Sequence, residues 1–377
     1  MDEIRNANTN NIAGITSEKL IDDNFSQSSD NFNDFICAVS EIEKNTSWIK
    51  TKTSGLNVCS LPEKKESSTS DSIYLNLNTD EDVKIRKIAL PSLYARAKIS
   101  GAALSKISKA DLAYILTCCL KTVPEDEEAQ AVIVGNKISA VHSERYVRMD
   151  STAIFQMADK TIKSLFPNAA FVAGGLNHEK SRAKYEINDT RLINAYHDSI
   201  SIADRAIKPE VYVNTSNVGL SGADIYPCFR NGNVSFIIGN PLCVKHNGNA
   251  SLEKFQENAN MLYSLFQKCI KNFIRMKSIQ IHYPANCFLN VAKRIGIPKK
   301  LAIKAFDDFK ALVCSPFSNA HDVYIGLTQT LAYAKADGKT SGEISTLREN
   351  IARALTINWT DYDLPTIGWQ YIDLSAA

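Results

Sequence analysis

The sequence predicts an α+β fold: a mainly antiparallel sheet built from hairpins, packed by helices, with an all-helical C-terminal part and a flexible N-terminal arm. Three observations carry this expectation. Hairpin signals follow one another in the chain without crossover helices between all of them, which disfavours a parallel doubly wound sheet. After Pro284 the periodic segments are all helical in spacing. Residues 1–83 hold 12 Ser, 11 Asn and 7 Thr, too polar a composition to offset the chain entropy lost on ordering. The layout expected is therefore a flexible acidic arm at 1–83, an α+β core at 84–283, and a helical region at 284–377 packed on that core.

Within the arm, Phe32 to Ile49 is expected as a short helix and Ile73 to Leu77 as an edge strand. Residues 91–121 read as two helices, with Ser105 or Ser108 capping the second. Residues 130–142 form a hairpin turning at Gly135-Asn136, with Ile138, Ala140 and His142 alternating on the return strand. Asp150 or Ser151 caps a helix that Pro167 ends. A second hairpin runs from Ala170 through Asn177-His178 into Ser181–Ile187, where Ala183, Tyr185 and Ile187 alternate with Arg182, Lys184 and Glu186, giving one dry and one wet face. Thr190 to Ile200 is helical. Strands at Val211–Thr215, Ala223–Phe229 and Val234–Gly239 follow, the last two joined by Asn231-Gly232. One helix spans 251–276, its stripe formed by Leu252, Phe255, Ala259, Leu262, Phe266, Cys269 and Phe273. The C-terminal helices are expected at about 284–295, 298–313, 319–336 and 341–357, punctuated by Gly296, Pro298, Pro316 and Gly338.

Charge separates the regions. The chain's net charge of +2 conceals a net of −8 over residues 1–83 (7 basic, 15 acidic) and +10 over the rest. Residues 258–306 contain nine Lys or Arg and no Asp or Glu. Arg275, Lys277, Lys293, Arg294, Lys299 and Lys300 are the candidate nucleic-acid contacts in this run, with Phe273, Tyr283 and Phe288 close in sequence as stacking partners. The competing reading is a solvated helical face. The acidic arm is either a solubilising tail or a competitor for the basic surface. No apolar run reaches the roughly 18 residues of a membrane span. The N-terminus lacks the basic and apolar regions of a secretory signal. Nine scattered cysteines without a CxxC read as reduced thiols of a cytoplasmic chain.

Chemical motifs are sparse. Gly338-Lys339-Thr340 resembles a phosphate loop, but Tyr333 stands where that loop needs glycine, so a helix-ending turn is expected. His178-Glu179 lacks the second histidine of a zinc-protease helix. Cys243-x-x-His246 with Cys228 upstream has metal-like spacing but no second pair. The expectation is no metal and no cofactor, with both cysteines as small core residues and His246 in a loop. The stretch 215–222 (TSNVGLSG) offers an anion nest of backbone amides. The stretch 240–248 (NPLCVKHNG) places Lys245 and His246 before a helix N-terminus. Ser216, Gly219, Ser221, Lys245 and His246 are accordingly the candidate anion or ligand site; no catalytic residue is assigned.

The runs AVHSERYVRMD (140–150), PEVYVNTSNVGLSGADIYP (209–227), NPLCVKHNGNASLEKF (240–255) and NAHDVYIGLTQTLAYA (319–334) together resemble the phage/plasmid-like family known as domain of unknown function 932. The resemblance covers about three quarters of the chain and leaves out the arm. It implies a mobile-element protein acting in a bacterial cytosol and no established chemistry. The expected function is a non-catalytic accessory protein that binds nucleic acid, single-stranded by preference, in replication or recombination. An anti-defence protein that binds a host protein or nucleotide is the first alternative. An enzyme with a site near 215–222 and 240–248 is the second. A homo-oligomer is compatible with all three.

Overall fold

The computed structural model describes residues 17–65, 68–78, 81–100, 102–197, 207–312 and 318–367. The chain opens with α1 (Ser17–Ile21), β1 (Ser26–Ser29), α2 (Phe32–Lys44), β2 (Thr46–Lys52), β3 (Asn57–Lys65), β4 (Ser68–Asn76) and β5 (Asp82–Ile85). It continues with α3 (Leu90–Arg96), α4 (Lys109–Lys121), β6 (Glu128–Val134), β7 (Lys137–Ser143) and α5 (Ser151–Leu165). Then come β8 (Ala170–Asn177), β9 (Ser181–Glu186), α6 (Thr190–His197), β10 (Lys208–Thr215), β11 (Ala223–Asn231), β12 (Val234–Ile237) and β13 (Leu242–Val244). The helices α7 (Leu252–Asn260), α8 (Leu262–Arg275), α9 (Pro284–Arg294), α10 (Lys299–Leu312), α11 (Ala320–Thr328), α12 (Thr330–Ala336) and α13 (Ser341–Ala352) follow. The two-residue strands β14 (Gln280–Ile281) and β15 (Ser318–Asn319) pair between them.

The fold is α+β, as the sequence predicts, with two principal sheets. The larger has the order β1-β8-β9-β10-β11-β12, and β13 also pairs with β11. All its pairings are antiparallel. The smaller has the order β2-β6-β7-β5-β4-β3 and is antiparallel except where β5 meets β7. Its core packs Leu56, Val58, Ile73 and Leu75 against Leu112, Leu116 and Leu120 of α4. The opposite face of the same sheet supplies Val132, Val134 and Ala140 to the main core, which the C-terminal helices share. Strand β7 is thus buried on both faces, at the junction of the two sheets.

From Ser17 onward the described residues of the segment expected as an arm are folded, which corrects the boundary at residue 83; residues 1–16, 66–67 and 79–80 lie outside the described residues. Four of its strands build the smaller sheet and β1 edges the larger. Helix α2 buries Phe35 against β8 so closely that a Cβ on Gly174 would lie 2.1 Å from the Phe35 ring. The polar composition misleads because these strands alternate: Ile73, Leu75 and Leu77 are buried while Ser72, Tyr74 and Asn76 are not. Such a strand needs only every second residue to be apolar. Ile73–Leu77 is accordingly no edge strand, since β4 runs between β3 and β5. Helix α2 stops at Lys44, and Ile49 belongs to β2.

The expected helix 251–276 is interrupted at Met261, yet Phe255, Ala259, Leu262, Phe266, Cys269 and Phe273 remain on one buried face across the break. The segment 319–336 is likewise two helices, divided at Gln329. Ile200, residue 313, Cys314 and Pro316 lie outside the described residues. The expected wet face of β9 is half-buried rather than solvated. Lys184 and Arg230 both reach the fully buried Glu210 at 2.9 Å, and Arg348 of α13 lies over Tyr212.

Candidate functional site

The turn after β7, the β10–β11 loop and the loop after β13 meet in an open cleft of about 690 Å³ at the junction of the sheets. His142 comes from the end of β7, and Tyr146 from the turn that follows. The turn is fixed by Gln130, whose amide donates to the carbonyls of Glu144 and Tyr146. A short antiparallel bridge joins Tyr146 to Asn247, and Val147 N–H donates to the His246 carbonyl at 2.9 Å. The rings of His142, Tyr146 and His246 stack nearly parallel, with centroids 3.7 Å and 5.0 Å apart. Trp48 of β2 stacks on the same group, and Arg148 lies over Trp48.

Hydrogen bonds set the tautomers. His142 Nε2–H donates to the Asn217 carbonyl at 2.8 Å, which leaves Nδ1 as an acceptor. His246 Nδ1–H donates to the Val147 carbonyl at 3.1 Å, which leaves Nε2 as an acceptor. Burial pushes the His142 imidazolium down to about 4, and the charges nearby, His246 and Arg96, push the same way. Burial likewise lowers His246 and raises the Tyr146 phenol. Both imidazoles are neutral at pH 7. Because Tyr146 lies between them, they cannot converge on one metal ion. Among the described residues no three His, Cys, Asp or Glu side chains gather as a metal site requires.

A consequence for stability follows from the depressed His142 value. Below about pH 6.5 the unfolded chain takes up a proton that the folded chain refuses until about pH 4. Stability carried by this group is complete above pH 6.5 and declines through that window. Denaturant melts at pH 7 and pH 5 are expected to show a lower midpoint at pH 5, and the difference should shrink in His142→Phe.

Among the described residues, the lining of the cleft contains Arg96, Arg145 and Lys245 and no carboxylate. Arg96 lies 3.6 Å from Glu127 outside the lining. Arg145 and Lys245 are exposed, and among the described residues neither is paired with an acid. Of the residues singled out in the sequence, Gly219, Ser221, Lys245 and His246 all line this cleft. Ser216 lies behind it. Its hydroxyl donates to the Glu179 carbonyl at 2.6 Å and accepts from the Val218 and Leu220 amides at 3.3 Å each. The expected anion nest is therefore filled in part by the protein's own hydroxyl. His246 lies in the loop after β13, as expected, and is buried there. Cys243 is exposed rather than a core residue. Its thiol is pushed up to about 12 by partial burial and by Asp224, which it faces across the β11–β13 pair. Cys228 is buried, as expected.

The basic run divides in space. Arg275 ends α8 and Lys277 lies in the next turn, beside Asp322, whose carboxyl it helps to lower. Lys293 and Arg294 end α9, and Lys299 and Lys300 begin α10. β14 and the whole of α9 intervene in the chain between these two groups. Lys304 pairs with Asp337 at 2.7 Å, and Lys300 also acts on that carboxylate. Phe273 and Phe288 are buried in the core and unavailable for stacking, whereas Tyr283 is exposed. At Gly338-Lys339-Thr340 the structure has a helix-ending turn, and Thr340 forms a capping box with Glu343 at the start of α13.

His142, Tyr146, Arg96 and Arg145 were not read as site residues from the sequence. The only local signal was the run at 140–150, and nothing in it indicates that His142 meets Asn217. Compared with family models, with curated proteins and with solved structures, the chain matches none of them.

Proposed function

We propose that this is a nucleic-acid-binding protein that takes a single strand into the cleft between its two sheets, and that it acts without catalysis as an accessory protein of a phage or plasmid in a bacterial cytosol. The observation that carries the reading is a lining that, among the described residues, holds Arg96, Arg145 and Lys245 and no carboxylate. Arg145 and Lys245, which have no acid partner among the described residues, suit phosphates through counterion release, with Arg96 beside them partly met by Glu127. The volume is within the range of ligand sites. The turn from Lys293 to Lys300 is a second, weaker track, since part of its charge is met by Asp337. An enzyme using the same cleft is disfavoured: an imidazole held near pH 4 is poorly matched to acid–base work at neutral pH. Among the described residues no helix is long and apolar enough to cross a membrane.

The experiment is fluorescence anisotropy of labelled single strands with the full chain at low salt. Saturable binding that is weakened at least tenfold by the double change Arg145→Ala and Lys245→Ala is expected. Absence of any complex contradicts the reading and favours a protein partner.

A further inference from the structure

We propose that the cleft selects ribose over deoxyribose, with His142 Nδ1 accepting a hydrogen bond from the 2′-hydroxyl of a bound strand. The inference rests on the nucleic-acid reading above and names its substrate class.

Its basis is a buried imidazole acceptor set beside cationic donors. The groups suited to meet phosphate here, Arg96, Arg145 and Lys245, only donate. His142 differs. Its proton is held on Nε2 by the Asn217 carbonyl at 2.8 Å, so Nδ1 presents a lone pair. The residue is more than nine-tenths buried yet lines the cleft, and among the described residues no donor is placed on Nδ1. The low imidazolium pKa keeps that lone pair free at neutral pH.

Gly219 keeps the approach open. A Cβ at that position would stand 3.1 Å from His142 Cε1 and 3.6 Å from Nδ1. Its φ of +80° also favours glycine there. His246 Nε2 is an acceptor too, but it is enclosed without a donor and is not assigned a contact. The phosphates of a strand offer acceptors and no donors. The sugar donor adjacent to the phosphate is the 2′-hydroxyl, which DNA lacks. A deoxy strand would cover Nδ1 without filling it, and an acceptor removed from water without a partner disfavours that complex.

The test compares oligouridylate with its deoxyuridine and 2′-O-methyl counterparts, which share bases and charge. The 2′-O-methyl strand keeps the ribose oxygen but has no proton to donate. The full chain is expected to bind oligouridylate about tenfold more tightly than either counterpart, the scale of one hydrogen bond. Gly219→Ala and His142→Phe, each checked for folding by its melting curve, should remove the difference among the three strands. The comparison of strands on the unaltered protein stands even if both variants misfold. Equal affinity for uridine and deoxyuridine strands, or tighter binding of deoxyuridine, overturns this inference and leaves the binding reading intact. A 2′-O-methyl strand that binds as tightly as oligouridylate overturns it too, because sugar shape rather than the hydroxyl proton would then be selected. If no strand binds, the proposed function fails and this inference with it.

Discussion

Phe273→Ala is expected to destabilise the protein by about 3–5 kcal/mol, the range for removing a packed aromatic ring. The ring is almost fully buried on α8 and is surrounded by other rings. Its centroid lies 4.6 Å from His321, 5.5 Å from Tyr324, 5.9 Å from Tyr196, 6.0 Å from Phe229 and 6.1 Å from Phe236. These partners come from α11, α6, β11 and β12, so the alanine cavity would open where three helices meet the larger sheet. Collapse into that space would require movement of groups that are themselves tied. The Tyr324 hydroxyl donates to the Ile237 carbonyl at 2.7 Å, and the Tyr196 hydroxyl lies 3.1 Å from His321 Nε2. Phe266→Ala, on the same buried face, is expected to behave similarly. Lys268→Ala, on the exposed face, should change stability by less than about 0.5 kcal/mol. Denaturant midpoints of the three variants test this; equal small shifts would mean that the stripe on α8 does not face the core.

Asp23→Asn is expected to destabilise by about 1–3 kcal/mol, well beyond an ordinary surface change. Asp23 is half exposed, but it serves two cations that are not. Its Oδ1 lies 2.7 Å from Arg86, whose side chain is 2% exposed, and 3.0 Å from Lys137. Arg86 also donates to the Leu20 carbonyl, and Lys137 to the Ile21 carbonyl at 2.6 Å. Burial alone would push the Asp23 carboxyl up. The hydrogen bond and charge of Lys137, followed by the charge of Arg86, outweigh it and hold the group below its usual range. Neutralising Asp23 leaves two enclosed cations without their counter-charge. Breaking a fully buried pair costs about 3–5 kcal/mol, and exposure of Asp23 reduces that figure. The stabilisation is present above the ordinary carboxyl value near 3.8 and is lost as pH falls through the lower folded value. The exposed control Asp30→Asn is expected to melt like the unaltered protein. Identical melting of Asp23→Asn would show that Arg86 and Lys137 do not depend on it.

What could be read from the sequence was local. Ser108, Asp150 and Ser251 cap the helices expected to follow them, each accepting from an amide three residues on. The Asn231-Gly232 turn joins β11 to β12 in antiparallel register. These features depend on neighbours within one turn of chain, which is the reach of capping and periodicity rules. The errors concern distance. The acid-free run 258–306 looked uncompensated, but Asp322 and Asp337 lie beyond its end in sequence and beside Lys277 and Lys304 in space. The segment before residue 84 looked unable to fold alone. It folds as part of two sheets, with Phe35 on β8 and Asp23 holding the Arg86 and Lys137 side chains. The five candidate ligand residues fell at the right end of the sheet because β10–β11 and β13 share a register. Their partners His142 and Tyr146 lie about 70 to 100 residues earlier, and no spacing rule links the two.

The salt dependence of single-strand binding tests the central claim most directly, because it counts the phosphates that the cleft neutralises. Each neutralised phosphate contributes about −0.7 to the slope of log affinity against log salt. Arg145→Ala with Lys245→Ala is predicted to make that slope shallower by about 1.4, while Arg294→Ala with Lys300→Ala leaves it nearly unchanged. An unchanged slope for the cleft pair, with the shallower slope appearing instead in the Arg294 and Lys300 pair, would contradict the account and return the binding surface to the helical turn between α9 and α10.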